Sequence, residues 1–278
     1  MKKIVVFVLA IGLVFSFCGK SAFHPKVAII YAFSAEGELL KSQTDLVKKF
    51  DINGREFYLG KLKGTDVVIV NSGVGMTNAA MTTQLTIDRF YPEKIIFTGI
   101  CGGIDSSNRI GDIVVPDKWV THDFGIYKKD GFFVDLIGYF SPQENKEIYR
   151  IYLPIDSALL AIAQNSALKL KGSLKPIGTR SPNIKIGGVG ASGNSFIDQK
   201  EKRQWLKEKI DAQIVDMESA AVVQVALSNN IPVIVVRSCS DLAGGSGSNT
   251  AQEELKEFFK VAADNSARMV GEMVGEMK

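Results

Sequence analysis

The sequence predicts an α/β sandwich with a mixed central sheet. Three observations carry this. Short continuous apolar runs at 26–32, 94–98, 184–189 and 232–237 read as buried strands. Helical segments separate most of them, the alternation that puts a sheet between helical layers. Near the start two tight turns, Asn53-Gly54 and Lys63-Gly64, add antiparallel hairpins.

The elements follow in order. The first strand, 26–32, leads through Phe33 and Ser34 to Glu36 and a helix reaching about Lys48. The two turns bound strands at 55–61 and 66–70. Residues 71–75 break the pattern, and a helix runs on to about Phe90, where Pro92 stops it. The strand at 94–98 runs out into the glycine-rich stretch 99–103, and another begins at 111–116. Residues 119–153 hold Phe124, Tyr127, Phe132, Phe133, Tyr139 and Phe140 without a clear period. They read as a long loop or insertion over a pocket. A helix at 157–170 and a strand at 184–189 come next. Asp198 suits the N-cap of the helix containing Trp205. A short strand at 212–216, a helix at 218–228 and a strand at 232–237 follow. A Gly/Ser loop, 243–249, leads to a long amphipathic helix from about Gln252. Without an internal repeat or linker, residues 23–278 read as one domain.

The first 22 residues read differently. Lys2 and Lys3 precede an almost unbroken apolar run at 4–17, and small residues follow. This is the layout of a cleaved secretory leader, and it is short for a membrane span, which needs roughly 20 apolar residues. Cleavage after Ser21 would put Gly19 and Ser21 at the −3 and −1 positions. Cys18 raises lipidation as an alternative, though Phe17 before it is bulky. The expected location is the periplasm or cell envelope. Without Lys2, Lys3 and Lys20, the 33 basic residues fall to match the 30 acidic ones. No basic run interleaves with aromatics, so nucleic acid is not expected as a partner. Beyond the leader only Cys101 and Cys239 remain; they read as small buried residues, with a disulfide as the alternative. His24 and His122 are isolated, so no metal and no cofactor is expected.

Residues 188–193 match GxGxxG, but no helix opens inside the match, which argues against a dinucleotide site. The acids are more informative. Glu36 follows the first strand, Glu218 sits at a strand-to-helix junction, and Asp241 follows the strand at 232–237. Ligand sites in α/β sheets collect beyond the carboxyl ends of strands, where three carboxylates could converge. Ordinary helix-start acids are the alternative.

Several segments, in this order, resemble the methylthioadenosine/S-adenosylhomocysteine nucleosidases of the purine nucleoside phosphorylase superfamily. They are 32–36 (AFSAE), 98–103 (TGICGG) with 111–115 (GDIVV), 192–197 (SGNSFI), 215–218 (VDME), 236–241 (VRSCSD) and the tail 261–266 (VAADNS). The resemblance runs from about Lys26 to the end. It implies a three-layer α/β/α fold, a nucleoside substrate, a homodimer and hydrolysis of the ribosyl–purine bond, most readily in 5′-methylthioadenosine or S-adenosylhomocysteine. Asp241 matches the residue that protonates N7 of the leaving purine. Glu36 matches the acid that activates water, and Glu218 the one that holds the ribose hydroxyls. Met217 matches the sugar-packing methionine, and Phe196 and Ile197 the purine clamp. Cys101, Gly102 and Ser240 fall among the binding segments.

The superfamily's phosphorylases hold phosphate with an Arg and a Ser where this chain has Phe97 and Ile100. A phosphate dianion needs such donors, so hydrolysis is favoured over phosphorolysis. The loop 242–249 looks more like plant bark-storage relatives, which leaves a non-catalytic binding or storage role open.

Overall fold

In the computed structural model, which describes residues 24–247 and 249–277, the first apolar run forms β1 (Val27–Tyr31), every residue of it buried. Helix α1 (Ser34–Ser42) is shorter than expected, because β2 (Thr44–Ile52) takes the residues assigned to its end. The cause is the next turn. Asn53 and Gly54 both have positive φ, 54° and 73°, the geometry of a two-residue hairpin. The turn pairs β2 with β3 (Arg55–Leu62), with Ile52 opposite Arg55, so a lysine-bearing edge strand prevails over a longer helix. A second turn returns the chain as β4 (Thr65–Asn71). Helix α2 (Met76–Phe90) stops at Tyr91, left-handed just before Pro92.

The glycine-rich stretch is not an exit from a strand. It is the second half of β5 (Lys94–Gly103). After β6 (Ile113–Val115) and β7 (Lys118–Thr121) come two hairpins, where the sequence suggested irregular chain. They are β8 (Gly125–Lys128) with β9 (Gly131–Val134), and β10 (Ile137–Ser141) with β11 (Lys146–Arg150). Each pairs within itself, outside the main sheet. β12 (Leu153–Pro154) rejoins the sheet beside β7, and Asp156 caps α3 (Ser157–Lys169) by accepting from Leu159 N at 2.9 Å.

The run at 184–189 divides into β13 (Ile184–Ile186) and β14 (Val189–Ser192) at Gly187 and Gly188, both with positive φ. The GxGxxG match is thus largely β14, with no helix opening in it. Asp198 does not cap α4 (Lys200–Ile210); Gln199 holds that position. The Asp198 carboxylate instead accepts from Ala251 N at 2.7 Å and Gln252 N at 3.3 Å. Those N–H groups belong to the start of the last helix, 53 residues away, which sequence proximity could not reveal. β15 (Ala212–Asp216), α5 (Ser219–Ser228), β16 (Val233–Asp241) and α6 (Ala251–Glu276) complete the chain.

The sheet is mixed and lies between two helical layers. Helices α1 and α3 pack on α6, while α2 packs on α5. β1 runs parallel to β4 and β5, and β16 runs parallel to β5. β7, β14 and β15 form a second parallel block. The blocks meet antiparallel where Gly102 and Gly103 pair with Val215 and Ile214. The carboxyl ends of β1, β5, β15 and β16 therefore converge. Residues 1–22, expected to be a leader, and Cys18 among them lie outside the described residues.

Candidate active site

A cavity of about 460 Å³ opens where these ends meet. Ala32, Phe33 and Glu36 come from the β1–α1 junction, Ile100, Cys101 and Gly102 from β5, and Met217 and Glu218 from the β15–α5 junction. Ser240 and Asp241 end β16. Phe196 lines it too, while Ile197 is buried beside a small side chamber shared with Phe196, Met217 and Asp241. Every catalytic or binding candidate read from the sequence thus reaches this cavity or its side chamber. Residues 119–153 do not line it, so the expected cover over the pocket is corrected: 125–134 and 137–150 pair into hairpins of their own, and the two ends of the segment join the main sheet.

Glu36 lies in the first turn of α1. Its Oε2 accepts from Ala32 N at 2.7 Å and Phe33 N at 3.2 Å, and its Oε1 from Ile100 N at 2.9 Å. Burial pushes its carboxyl up, against the pull of Arg237 and those three N–H groups. Glu218 is the N-cap residue of α5; Oε1 accepts from Gly75 N at 2.9 Å, and Oε2 lies 3.3 Å from Arg237 Nη2. Burial raises its pKa to about 7, against Arg237 and with help from Asp216. Asp241 accepts from Ala243 N and from its neighbour's hydroxyl, Ser240 Oγ, both at 2.9 Å. Burial raises it to about 7 as well; the acids Glu254 and Asp198 add to the rise.

Two residues given no role from sequence organise the site. Arg237, fully buried in β16, reaches Asp216 Oδ2 at 2.8 Å, Glu218 Oε2 at 3.3 Å and Glu36 Oε1 at 3.6 Å. Its guanidinium lies 4.4 Å over the Phe97 ring. Asp216 also accepts from Ser192 Oγ and from the backbone N–H groups of Glu218 and Ser219, so it anchors the start of α5. The available signal was an arginine inside an otherwise apolar strand, since a buried charge needs partners. Gly99 makes the crossing possible: a Cβ there would lie 2.1 Å from Glu36 Oε1 and 2.2 Å from Arg237 Nη1. Cys101 and Cys239 face each other across β5 and β16 as free thiols, Sγ to Sγ 3.9 Å.

The loop carrying Phe196 is pinned at both sides. Asn194 Oδ1 accepts from Met76 N at 3.2 Å, and Asn194 N donates to Asp123 Oδ2 at 2.8 Å.

Residues 26–275 match the family model of the phosphorylase superfamily. A 5′-methylthioadenosine/S-adenosylhomocysteine nucleosidase of Geobacillus thermodenitrificans is 34% identical over 250 residues, 90% of this chain and 96% of that protein. This chain belongs to that nucleosidase family. The same-named enzyme of Neisseria meningitidis, solved with methylthio-immucillin-A, shares the fold with a TM-score of 0.75 and 28% identity, covering 90% of this chain and 98% of that one. A futalosine hydrolase of Helicobacter pylori is also similar, with a TM-score of 0.74 and 25% identity, covering 91% and 98%. Phe97 and Ile100 both stand on β5, Phe97 against Arg237 and Ile100 against the cavity. Phe97 is packed under the guanidinium, and Ile100 presents an apolar side chain to the cavity and its N–H to Glu36.

Proposed function

We propose that the protein hydrolyses the N-glycosidic bond of purine nucleosides, with 5′-methylthioadenosine and S-adenosylhomocysteine as substrates. The observation that carries this reading is a division among three buried carboxyls around one cavity. Glu36 and Glu218 are tied to Arg237, while Asp241 stands outside that network; burial raises Asp241 and Glu218 alike to about 7, so the pairing with Arg237, not the pKa, sets Asp241 apart. Breaking C1′–N9 puts positive charge on the sugar and negative charge on the base. Asp241 delivers its proton to purine N7, and the carboxylates stabilise the sugar cation. Glu36 orients water, which adds to C1′ and passes a proton to Glu36. Glu218 takes the ribose hydroxyls, Met217 packs on the sugar, and Phe196 with Ile197 holds the purine. Cys101, Gly102 and Ser240 form the wall beside Asp241. The logic is that of a two-carboxylate glycosidase with a purine leaving group.

Water is favoured over phosphate by the same site. Ile100 on the cavity wall and Phe97 beneath the guanidinium offer no charged donor, Arg237 is already neutralised by three acids, and Glu36 would repel a dianion. The test is incubation of purified protein with 5′-methylthioadenosine, with and without phosphate. Adenine and free 5-methylthioribose at a phosphate-independent rate are expected. A sugar 1-phosphate formed only with phosphate would overturn hydrolysis, and no cleavage of any purine nucleoside would favour a binding or storage role.

The reading extends to location and assembly. The leader at 1–22 supports export to the periplasm or envelope, soluble or anchored through Cys18; mass spectrometry of native protein should find a start near 19–23, and a retained Met1 would exclude cleavage. The outer hairpins expose Tyr127, Phe133, Phe140 and Tyr149, apolar surface suited to a second copy in a homodimer. Sedimentation should give twice the chain mass.

A further inference from the structure

The base, ribose and water account for one side of the cavity. The other side is apolar and remains unassigned: Phe33, Val74, Leu255 and Phe259. In the proposed reading this is where a 5′ substituent lies, since the purine sits at Phe196 and Asp241 and the ribose at Met217 and Glu218. Next to this wall stands Lys256, the one cation among the described lining residues; the other charged groups there, Glu36, Asp216, Glu218 and Asp241, are all acids.

Lys256 differs from the other lysine described on α6. Lys260 is committed to Glu38 at 2.9 Å and Asp264 at 3.2 Å. Lys256 makes no ion pair or hydrogen bond among the described residues. The nearby acids are engaged elsewhere: Glu253 accepts from Thr250 N at 2.9 Å, and Glu254 from Leu242 N and Ser246 N at 2.9 and 2.8 Å. Lys256 itself is exposed. A lysine in this position lays its methylene stem along apolar wall and keeps its ammonium in water at the rim.

We infer that Lys256 is a specificity-determining residue, which makes the pocket prefer nucleosides whose 5′ arm starts apolar and ends in a carboxylate. This rests on the nucleosidase reading. A short arm such as a methylthio group ends on the apolar wall. A longer arm reaches the rim, where Lys256 is the one cation among the described lining residues; Arg237, behind the floor, is already paired with Glu36, Asp216 and Glu218. Lys256 supplies the arm's carboxylate with a charge-assisted hydrogen bond. Of the two nucleosides proposed as substrates, S-adenosylhomocysteine alone carries a carboxylate on its arm, beside an α-ammonium, so the test below uses an arm with the carboxylate alone. Exposed pairs are weak and salt-sensitive, so the preference is about two- to fivefold and shrinks at high ionic strength.

The test uses two isosteric adenosine thioethers, 5′-deoxy-5′-(3-carboxypropylthio)adenosine and its primary amide, with 5′-methylthioadenosine alongside. The readout is the acid-to-amide ratio of kcat/KM at low salt. In the wild type the acid is favoured about two- to fivefold, chiefly through KM. Lys256→Gln brings the ratio to about one, Lys256→Glu takes it below one, and added salt compresses the wild-type ratio. A wild-type ratio at or below one, or a ratio unchanged in Lys256→Gln, overturns the proposal while cleavage of 5′-methylthioadenosine leaves the nucleosidase reading standing. Failure to cleave all three compounds takes down both.

Discussion

Arg237 Nε lies 2.8 Å from Asp216 Oδ2, so the arginine that reaches toward Glu36 and Glu218 is itself held from behind by a third acid. All four side chains are buried. The pair sets the geometry of the site, because Asp216 also fixes the backbone at Glu218 and Ser219. Removing the guanidinium would leave three carboxylates facing one another without a counter-charge. Arg237→Met should therefore lose about 3–5 kcal/mol in urea unfolding at pH 7. The loss should be smaller at pH 5, where the orphaned carboxyls can take up protons. An equal loss at both pH values would mean that packing, not charge, dominates.

Asp241→Asn should keep the fold and the cavity, since the amide matches the shape. It has no proton of suitable acidity for N7. Turnover of 5′-methylthioadenosine should fall by about 10²–10⁴-fold with KM little changed. Near-wild-type kcat in steady-state kinetics would show that another group is the acid.

The same carboxyl gives stability a pH slope. Asp241 titrates at about 7 when folded, against 3.8 ordinarily. Below about pH 4 both states hold the proton and the contribution is complete. As the pH rises toward 7 the unfolded chain gives up its proton first, so stability falls, by up to ~1.4 kcal/mol per pH unit. Glu218 is raised to about 7 by burial and adds in the same direction. Tm measured from pH 4.5 to 8 should decline in the wild type and decline less in Asp241→Asn. Parallel curves would refute the assignment. Activity should fall above about pH 7 as Asp241 ionises.

Gly99→Ala should abolish activity without replacing any acid. Its new methyl would fall between Glu36 and Arg237. Because the obstruction is within a buried strand, the variant should also be less stable by about 1–3 kcal/mol. Wild-type turnover in soluble Gly99→Ala would mean that Glu36 need not meet Arg237.

Much of the fold and the site is legible in the sequence. The apolar runs declared the central strands, because a strand covered on both faces has no polar face to show. The Asn53-Gly54 turn declared its hairpin through backbone sterics alone. Glu36, Glu218 and Asp241 stood at strand ends, and strand ends in such sheets are where ligands go. Local sequence failed where distant chain decided. Residues 44–48 have no intrinsic reason to leave a helix; they do so because β3 offers a ladder of backbone partners. Asp198 looked like the cap of the helix beside it and serves the helix 53 residues on.

What the sequence alone determined, then, is the set of elements and the identity of the acids. Local sterics, apolar periodicity and residue chemistry act over a few positions and can be read in a line. What only the tertiary structure decided is which charges share a desolvated space. Arg237, Asp216, Glu36 and Gly99 are scattered over some 200 residues, and their meeting follows from two parallel blocks abutting at Gly102 and Val215. Burial there turns an ordinary aspartate into an acid that keeps its proton near neutrality, a property of the surrounding dielectric that no single residue carries.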